Sequence, residues 1–296
     1  MALLALAACG GPGPDAVSST SSPPPAGATT PNTSAPRTTA PSTDVLPTAP
    51  PPAPTPTTAT RPPTAPSTTT APRPTTPRPT STTTLPAALR GVVLTTLPTS
   101  SRVVALTFDG GAGSQGAAAI LATLRAEKVP ASFFVTGTFA TANPTTTRSL
   151  AAVGPVGNHS WSHPDFTSLS ASAIDGELVR THAAIASTTG ADPHPFFRFP
   201  YGAYDPRTLT LVNGEGYGAI GWTTDSLGWK GTSGGMSVDA VVARVLGGAA
   251  PGQIVLMHLG ANPDDGTTLD ADALPRIIAG YRAAGYGFVT LNLLRR

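Results

Sequence analysis

From residue 89 onward the chain alternates short apolar runs with segments whose apolar positions recur three and four apart. The runs at 103–108, 131–135, 155–158, 195–199, 218–222, 253–257 and 288–291 are rich in β-branched and aromatic residues and predict strands. Between them, the spacing predicts helices over 117–127, 145–152, 171–188, 206–213, 238–246 and 271–284. Ser170 and Ser237 stand where N-caps belong, and Gly190, Gly214, Gly247 and Gly285 where helices stop. About seven strands alternating with helices predict an α/β fold with a parallel sheet, either open and doubly wound or closed as a barrel.

The first 88 residues carry no such pattern. Of the 34 prolines, 22 fall at or before Pro86, in a stretch otherwise made largely of Thr, Ser and Ala. Large apolar side chains are too few there to offset the entropy of ordering, so residues 10–88 are expected to form a disordered, partly polyproline-II linker. At roughly 3.1 Å per residue such a tether reaches on the order of 200 Å. Its Thr/Pro bias permits O-glycosylation.

Residues 1–9 end in Cys9, the only cysteine, after an apolar run and two alanines. The segment resembles a bacterial lipobox, which implies lipidation of Cys9; it lacks a positive n-region and reads as a truncated signal. The expectation is an exported protein, held on the outer face of the cytoplasmic membrane as a lipoprotein or secreted into the cell wall. A single cysteine excludes a disulfide framework.

Residues 89–296 are enough for one domain with a full core. The formal net charge is +2, but without the four arginines and two aspartates of the preceding tract the domain carries 14 charges of each sign. No basic face is forced, so no nucleic-acid partner is expected. A monomer is.

Candidate chemistry gathers at the strand ends. Asp109 follows the first strand, His159 the third, Arg198 sits in the fourth, Asp225 lies beyond the fifth, and His258 ends the sixth. In a (β/α) barrel those ends converge on one face, which carries the active site. His159 and His163 stand four apart without helical apolar patterning, and Pro164 disfavours a helical His163, so the pair is expected on a turn. Two imidazoles suit a divalent metal, zinc first, with cobalt, manganese or nickel as alternatives. Arg198, inside the aromatic run 196–201, needs a carboxylate, and Asp109 is the natural one. Such a carboxylate keeps a low pKa and a fixed orientation, as a base requires. His258 ends a very apolar strand and needs a partner for its charge, which Asp225 could supply; an Asp-supported imidazolium would be a general acid. His182 and His194 read as structural or exposed.

Five segments, 106–111, 159–163, 198–202, 225–229 and 256–258, resemble in order and spacing the carbohydrate esterase 4 family, polysaccharide deacetylases with a NodB-homology domain. The resemblance covers nearly all of residues 101–294. It implies a distorted (β/α) barrel that uses a divalent metal to remove N-acetyl groups from amino sugars. His159 and His163 would bind the metal, Asp109 would be the base, His258 the acid, Arg198 would orient Asp109, and Asp225 would tune His258. The Tyr201 backbone N–H would help hold the oxyanion, with Trp229 and Leu256 lining the acyl pocket. The expected substrate is an extracellular N-acetylated glycan, peptidoglycan first and chitin-like oligomers second.

One position departs from the family pattern. Gly110 stands where a second aspartate, a metal ligand, normally follows the base. Asp109, Asp165, Asn158 or waters would have to complete the shell, and the alternative is a catalytically degenerate glycan-binding module. A further alternative is a serine hydrolase, because Gly231-Thr232-Ser233-Gly234-Gly235 fits G-x-S-x-G. That elbow needs a strand entering directly and a helix starting at the serine, and neither is expected at Ser233.

Overall fold

A computed structural model describes residues 85–295, apart from residue 112. The expected signal, Cys9 and the tract up to residue 84 lie outside the described residues. Packing begins ahead of residue 89: Leu85 is buried, and Ala87–Leu89 forms a 3-10 turn. The last residues expected in the linker therefore belong to the fold.

Among the described residues, nine strands make one parallel sheet: β1 (Val93–Leu94), β2 (Val103–Gly110), β3 (Ser132–Val135), β4 (Val156–Asn158), β5 (Phe196–Phe197), β6 (Gly218–Ile220), β7 (Thr224–Asp225), β8 (Gln253–His258) and β9 (Gly287–Phe288). They run in the order β1-β6-β5-β4-β3-β2-β8-β7, with β9 also on β2. Six of the expected strands are present, and the seventh, expected over 288–291, is displaced: β9 covers Gly287–Phe288, and Leu291–Arg295 forms a 3-10 helix. The two additions, β1 and β7, have two residues each, too short for any alternation to show. The sheet curls until its ends meet: Thr96 bridges Gln253, and the Thr223 hydroxyl donates to the Thr95 carbonyl at 2.6 Å. A sheet joined by such sparse contacts is a distorted barrel.

Around the sheet run α1 (Ala117–Ala126), α2 (Gly137–Ala142), α3 (Pro144–Ala151), α4 (Ala171–Thr189), α5 (Pro206–Gly214), α6 (Val238–Gly247) and α7 (Leu269–Ala283). Ser170 and Ser237 cap α4 and α6 through their hydroxyls, and Gly190 closes α4 in the left-handed conformation. The unexpected helix α2 has little apolar periodicity. It starts because the Thr136 side chain accepts the Phe139 N–H.

Strand period decides which residues reach the barrel interior. In β2, Val104, Leu106 and Phe108 pack outward under the helices, whereas Ala105 belongs to the inner cluster with Phe134, Phe196 and Ile254. Asp109 shares the parity of Ala105. In β8, Val255 and Met257 join the outer layer and Ile254 the inner one, which gives His258 the inner parity too. β2 and β8 pair in register, with Asp109 opposite His258.

Candidate active site

At the C-terminal ends of the strands lies a cleft of about 590 Å³ that brings Asp109, His159, His163, Tyr201, Asp225, Trp229, Leu256 and His258 together. Arg198 is fully buried behind it. It sits just past β5, where its Nε and Nη2 donate to the carbonyls of Ile220 and Gly221 at 3.1 Å each. Its Nη1 donates to Asp109 Oδ1 at 2.7 Å. Burial alone would raise the Asp109 carboxyl; Arg198, His159 and His258 reverse this and hold it below the ordinary carboxylate range. Oδ1 is thereby anchored, and Oδ2 lies 3.4 Å from His159 Nε2.

His159 follows β4 directly. Its Nδ1 lies 2.8 Å from the Arg198 carbonyl oxygen, which can only accept, so the proton is on Nδ1 and the Nε2 lone pair faces Asp109. Burial, with the Arg198 and His258 charges, lowers its pKa and keeps the ring neutral. His163 sits on the expected turn, at φ 62°, after Ser160 at φ 67°. Its N–H donates to Ser160 Oγ, and its ring meets His159 edge-on with centroids 4.8 Å apart. Burial first, then the neighbouring His159 ring, lowers its pKa to about 4. The turn is anchored by Glu177, a residue of α4 that sequence reasoning did not single out, which accepts the N–H groups of Trp161 and Ser162 at 2.7 and 2.8 Å.

Two neutral imidazoles on one side of the cleft suit a divalent cation, and Asp109 Oδ2 stands beside one of them. Of the side chains expected to replace the missing ligand at Gly110, only Asp109 faces the histidines. Asn158 is committed elsewhere, accepting the Ser160 N–H and donating to Leu178 O and Tyr217 Oη. Asp165 is exposed and caps the Phe166–Ser168 turn. A Cβ added at Gly110 would meet Leu259 at 3.1 Å and Phe139 at 3.2 Å, so a side chain there requires these two apolar side chains to give by a few tenths of an ångström.

The expectation that Asp225 partners His258 needs correction. Asp225 directs Oδ1 to the Leu227 N–H and Oδ2 to the Trp229 indole N–H. The carboxylate beside the His258 ring is Asp270 of α7, with Oδ2 3.6 Å from Nδ1. Asp270 lay unnoticed because an aspartate next to a predicted helix start reads as an ordinary N-terminal carboxylate. Burial works against charge on His258, but Asp270, Asp109 and Asp225 together raise its pKa above the ordinary imidazole value. Asp225 thus acts on the ring through space only.

On the rim, Tyr201 adopts the left-handed conformation at φ 58°, and its exposed ring lies edge-on to His163. Trp229 is 47% exposed above the cleft, whereas Leu256 is buried in its wall. Ser233 lies on a surface segment, its hydroxyl 3.3 Å from Asn262 Oδ1, and it does not line the cleft. The strand-to-helix elbow is absent there, since a 3-10 turn, Gly228–Lys230, precedes it and α6 starts only after Ser237. His182 and His194 lie side by side with Asp192, away from the cleft. His194 Nε2 donates to the Glu215 carbonyl, and its Nδ1 lies 2.8 Å from Asp192 Oδ1.

A family model described as "Polysaccharide deacetylase" matches residues 96–220. The chain is 34% identical over 190 residues to the peptidoglycan-N-acetylglucosamine deacetylase PgdA of Listeria monocytogenes, covering 64% of this chain and 38% of that protein. It thus spans well under half the length of that relative. It is 31% identical to a chitooligosaccharide deacetylase of Sinorhizobium fredii, over 61% of this chain and 86% of the relative. Among solved structures, a carbohydrate esterase 4 family pseudoenzyme from Bacillus anthracis superposes with a TM-score of 0.60 at 27% identity, over 66% of each chain. On this sequence likeness, which in the Sinorhizobium relative extends over most of the protein, the chain belongs to the polysaccharide deacetylase family.

Proposed function

We propose that the protein is a metal-dependent hydrolase that removes N-acetyl groups from amino sugars of an extracellular polysaccharide, with peptidoglycan as substrate. The observation that carries this reading is the pairing of Asp109 with His258 across adjacent strands: a carboxylate held below its usual pKa faces an imidazole held above it, in one cleft with two neutral histidines. Paired groups whose environments drive their pKa values apart are suited to be base and acid.

His159 and His163 would hold the cation, and Asp109 Oδ2 is the carboxylate oxygen on their side. A bound divalent ion acts as a Lewis acid toward the amide carbonyl. Arg198 fixes the Asp109 carboxylate through Oδ1, so that Oδ2 can take a proton from the attacking water. His258 gives a proton to the departing amine nitrogen, and acetate and a free amino sugar result. The Tyr201 backbone N–H, on the rim, supports the carbonyl oxygen as it becomes an oxyanion. Leu256 and Trp229 would bound the space for the acetyl methyl, and the exposed aromatic rim suits a sugar face.

The sequence further supports export, with Cys9 as a lipid anchor and the Pro/Thr tract as a tether that lets a monomeric domain reach the cell wall. Zinc is the proposed ion, with cobalt, manganese or nickel able to substitute. The test is acetate release by the full chain from N-acetylated peptidoglycan and from chitin oligomers, before and after exhaustive EDTA treatment. Release abolished by EDTA and restored by zinc is expected; release that survives EDTA overturns the metal role. A second reading, a degenerate glycan-binding module, is favoured by Gly110 and by the likeness to a family pseudoenzyme. Glycan binding without turnover under any of these metals would establish it.

A further inference from the structure

The ring of His258 and the carboxylate of Asp270 hold the two buried side-chain polar atoms that lack a hydrogen-bond partner among the described residues, His258 Nδ1 and Asp270 Oδ1. Buried atoms of this kind call for an explanation, because leaving one unpaired costs about 1–3 kcal/mol. Here both belong to one pair of neighbouring side chains, although the oxygen nearest the ring is Oδ2 rather than the unpaired Oδ1. Asp270 is 3% exposed, its Oδ2 accepts the His258 backbone N–H at 2.8 Å, and the same oxygen stands 3.6 Å from Nδ1. A slight turn of the ring would convert the ion pair into a hydrogen bond and pair Nδ1.

A second, independent observation concerns Gly228. A Cβ built on it would lie 2.3 Å from Asp270 Oδ1 and 2.6 Å from its Cγ, closer than any real contact. Gly228 has φ outside the left-handed region, so its backbone does not demand glycine. What excludes a side chain there is the Asp270 carboxylate, which fills the space that a residue at 228 would occupy. Residue 228 and residue 270 therefore compete for one place behind His258, and in this chain the carboxylate comes from α7.

We infer that Asp270 is the positioning residue of His258, holding the ring with Nδ1 towards α7 and Nε2 towards the cleft, and that Gly228 is the vacancy that admits it. Asp225, three residues before Gly228, has both oxygens committed to Leu227 and Trp229 and does not reach the ring. The inference rests on His258 being the acid of the proposed reaction. It goes further in assigning the support of that acid to a helix contributing none of the five motifs.

The experiment is steady-state acetate release by full-chain variants, with bound metal and melting temperature measured alongside. In Asp270→Asn the amide oxygen still accepts the His258 N–H, so the strand end stays clamped while the negative charge behind the ring is lost. Expected is a fall in kcat of at least about tenfold and no more than the roughly 10²–10⁴ that a positioned acid contributes, with KM and metal content unchanged. The exchange Gly228→Asp/Asp270→Ala moves the carboxylate to the competing position and is expected to recover at least about tenfold over Asp270→Ala alone. A kcat for Asp270→Asn within twofold of the parent, while His258→Ala is inactive, overturns the inference. So does an exchange variant that folds yet is no better than Asp270→Ala; if it does not fold, Asp270→Asn decides alone. Activity retained in His258→Ala would instead overturn the underlying reading of the acid.

Discussion

Asp109 and His258 are register partners on adjacent parallel strands, β2 and β8, and both point into the barrel mouth. Their environments differ as well as their chemistry: Arg198 is hydrogen-bonded to one and Asp270 lies beside the other. Two neighbouring side chains are thereby prepared for opposite proton transfers.

The first prediction follows from that pairing. Asp109→Asn and His258→Ala should each lower acetate release by about 10²–10⁴ at unchanged fold, measured as kcat with circular dichroism as the control. Ser233→Ala should leave release unchanged, because its hydroxyl meets only Asn262 on the surface. Loss of activity in the serine variant would reinstate the nucleophile elbow.

Removing Arg198 should harm stability as well as chemistry. Arg198→Met strands the buried Asp109 charge and leaves the carbonyls of Ile220 and Gly221 without their donors. Breaking a buried pair from one side costs about 3–5 kcal/mol, to be read from urea unfolding of the variant. A loss below about 1 kcal/mol would mean that Asp109 finds solvent in its place.

Position 110 tests the metal shell. Gly110→Asp adds a ligand but presses on Leu259 and Phe139, so it should cost about 1–3 kcal/mol by overcrowding. Gly110→Asp/Leu259→Ala should relieve the crowding and bind zinc more tightly than the parent, measured by competition with a chelator. Unchanged affinity in a folded double variant would show that solvent already completes the shell.

The histidines also predict a pH dependence for the metal-free protein. Burial lowers the His163 pKa from 6.5 to about 4, so between these values the unfolded chain binds a proton that the folded chain refuses. Stability contributed by the neutral ring is therefore present above pH 6.5 and lost as pH falls towards 4. His258 behaves oppositely: its raised pKa contributes stability below 6.5 that is lost as pH rises through the folded value. In EDTA, His163→Asn should flatten the fall in melting temperature between pH 6.5 and 4. An identical slope in parent and variant would show that burial does not keep this ring neutral.

Much of this was legible without coordinates because barrel strands are buried on both faces and read as apolar runs. The polar residue that interrupts or ends such a run, Asp109 in one and His258 in another, is conspicuous for that reason. Helix caps at Ser170 and Ser237 were equally readable, since a cap is a local hydrogen bond. Two-residue strands and the weakly patterned α2 were not, because pairing with neighbours and one Thr136 cap maintain them.

The sequence by itself determined the order of strands and helices, the cluster of polar residues at strand ends and the Arg198–Asp109 partnership, all consequences of period, burial and the need to pair a buried guanidinium. Only the tertiary structure decided that Asp270 rather than Asp225 stands behind His258, that Asp165 and Asn158 turn away from the histidines, and that apolar side chains flank Gly110. The reason is physical. Periodicity sets which face of a strand a residue occupies, but where a loop carboxylate points depends on which N–H groups claim it first, and what fills a vacancy depends on how a distant helix packs.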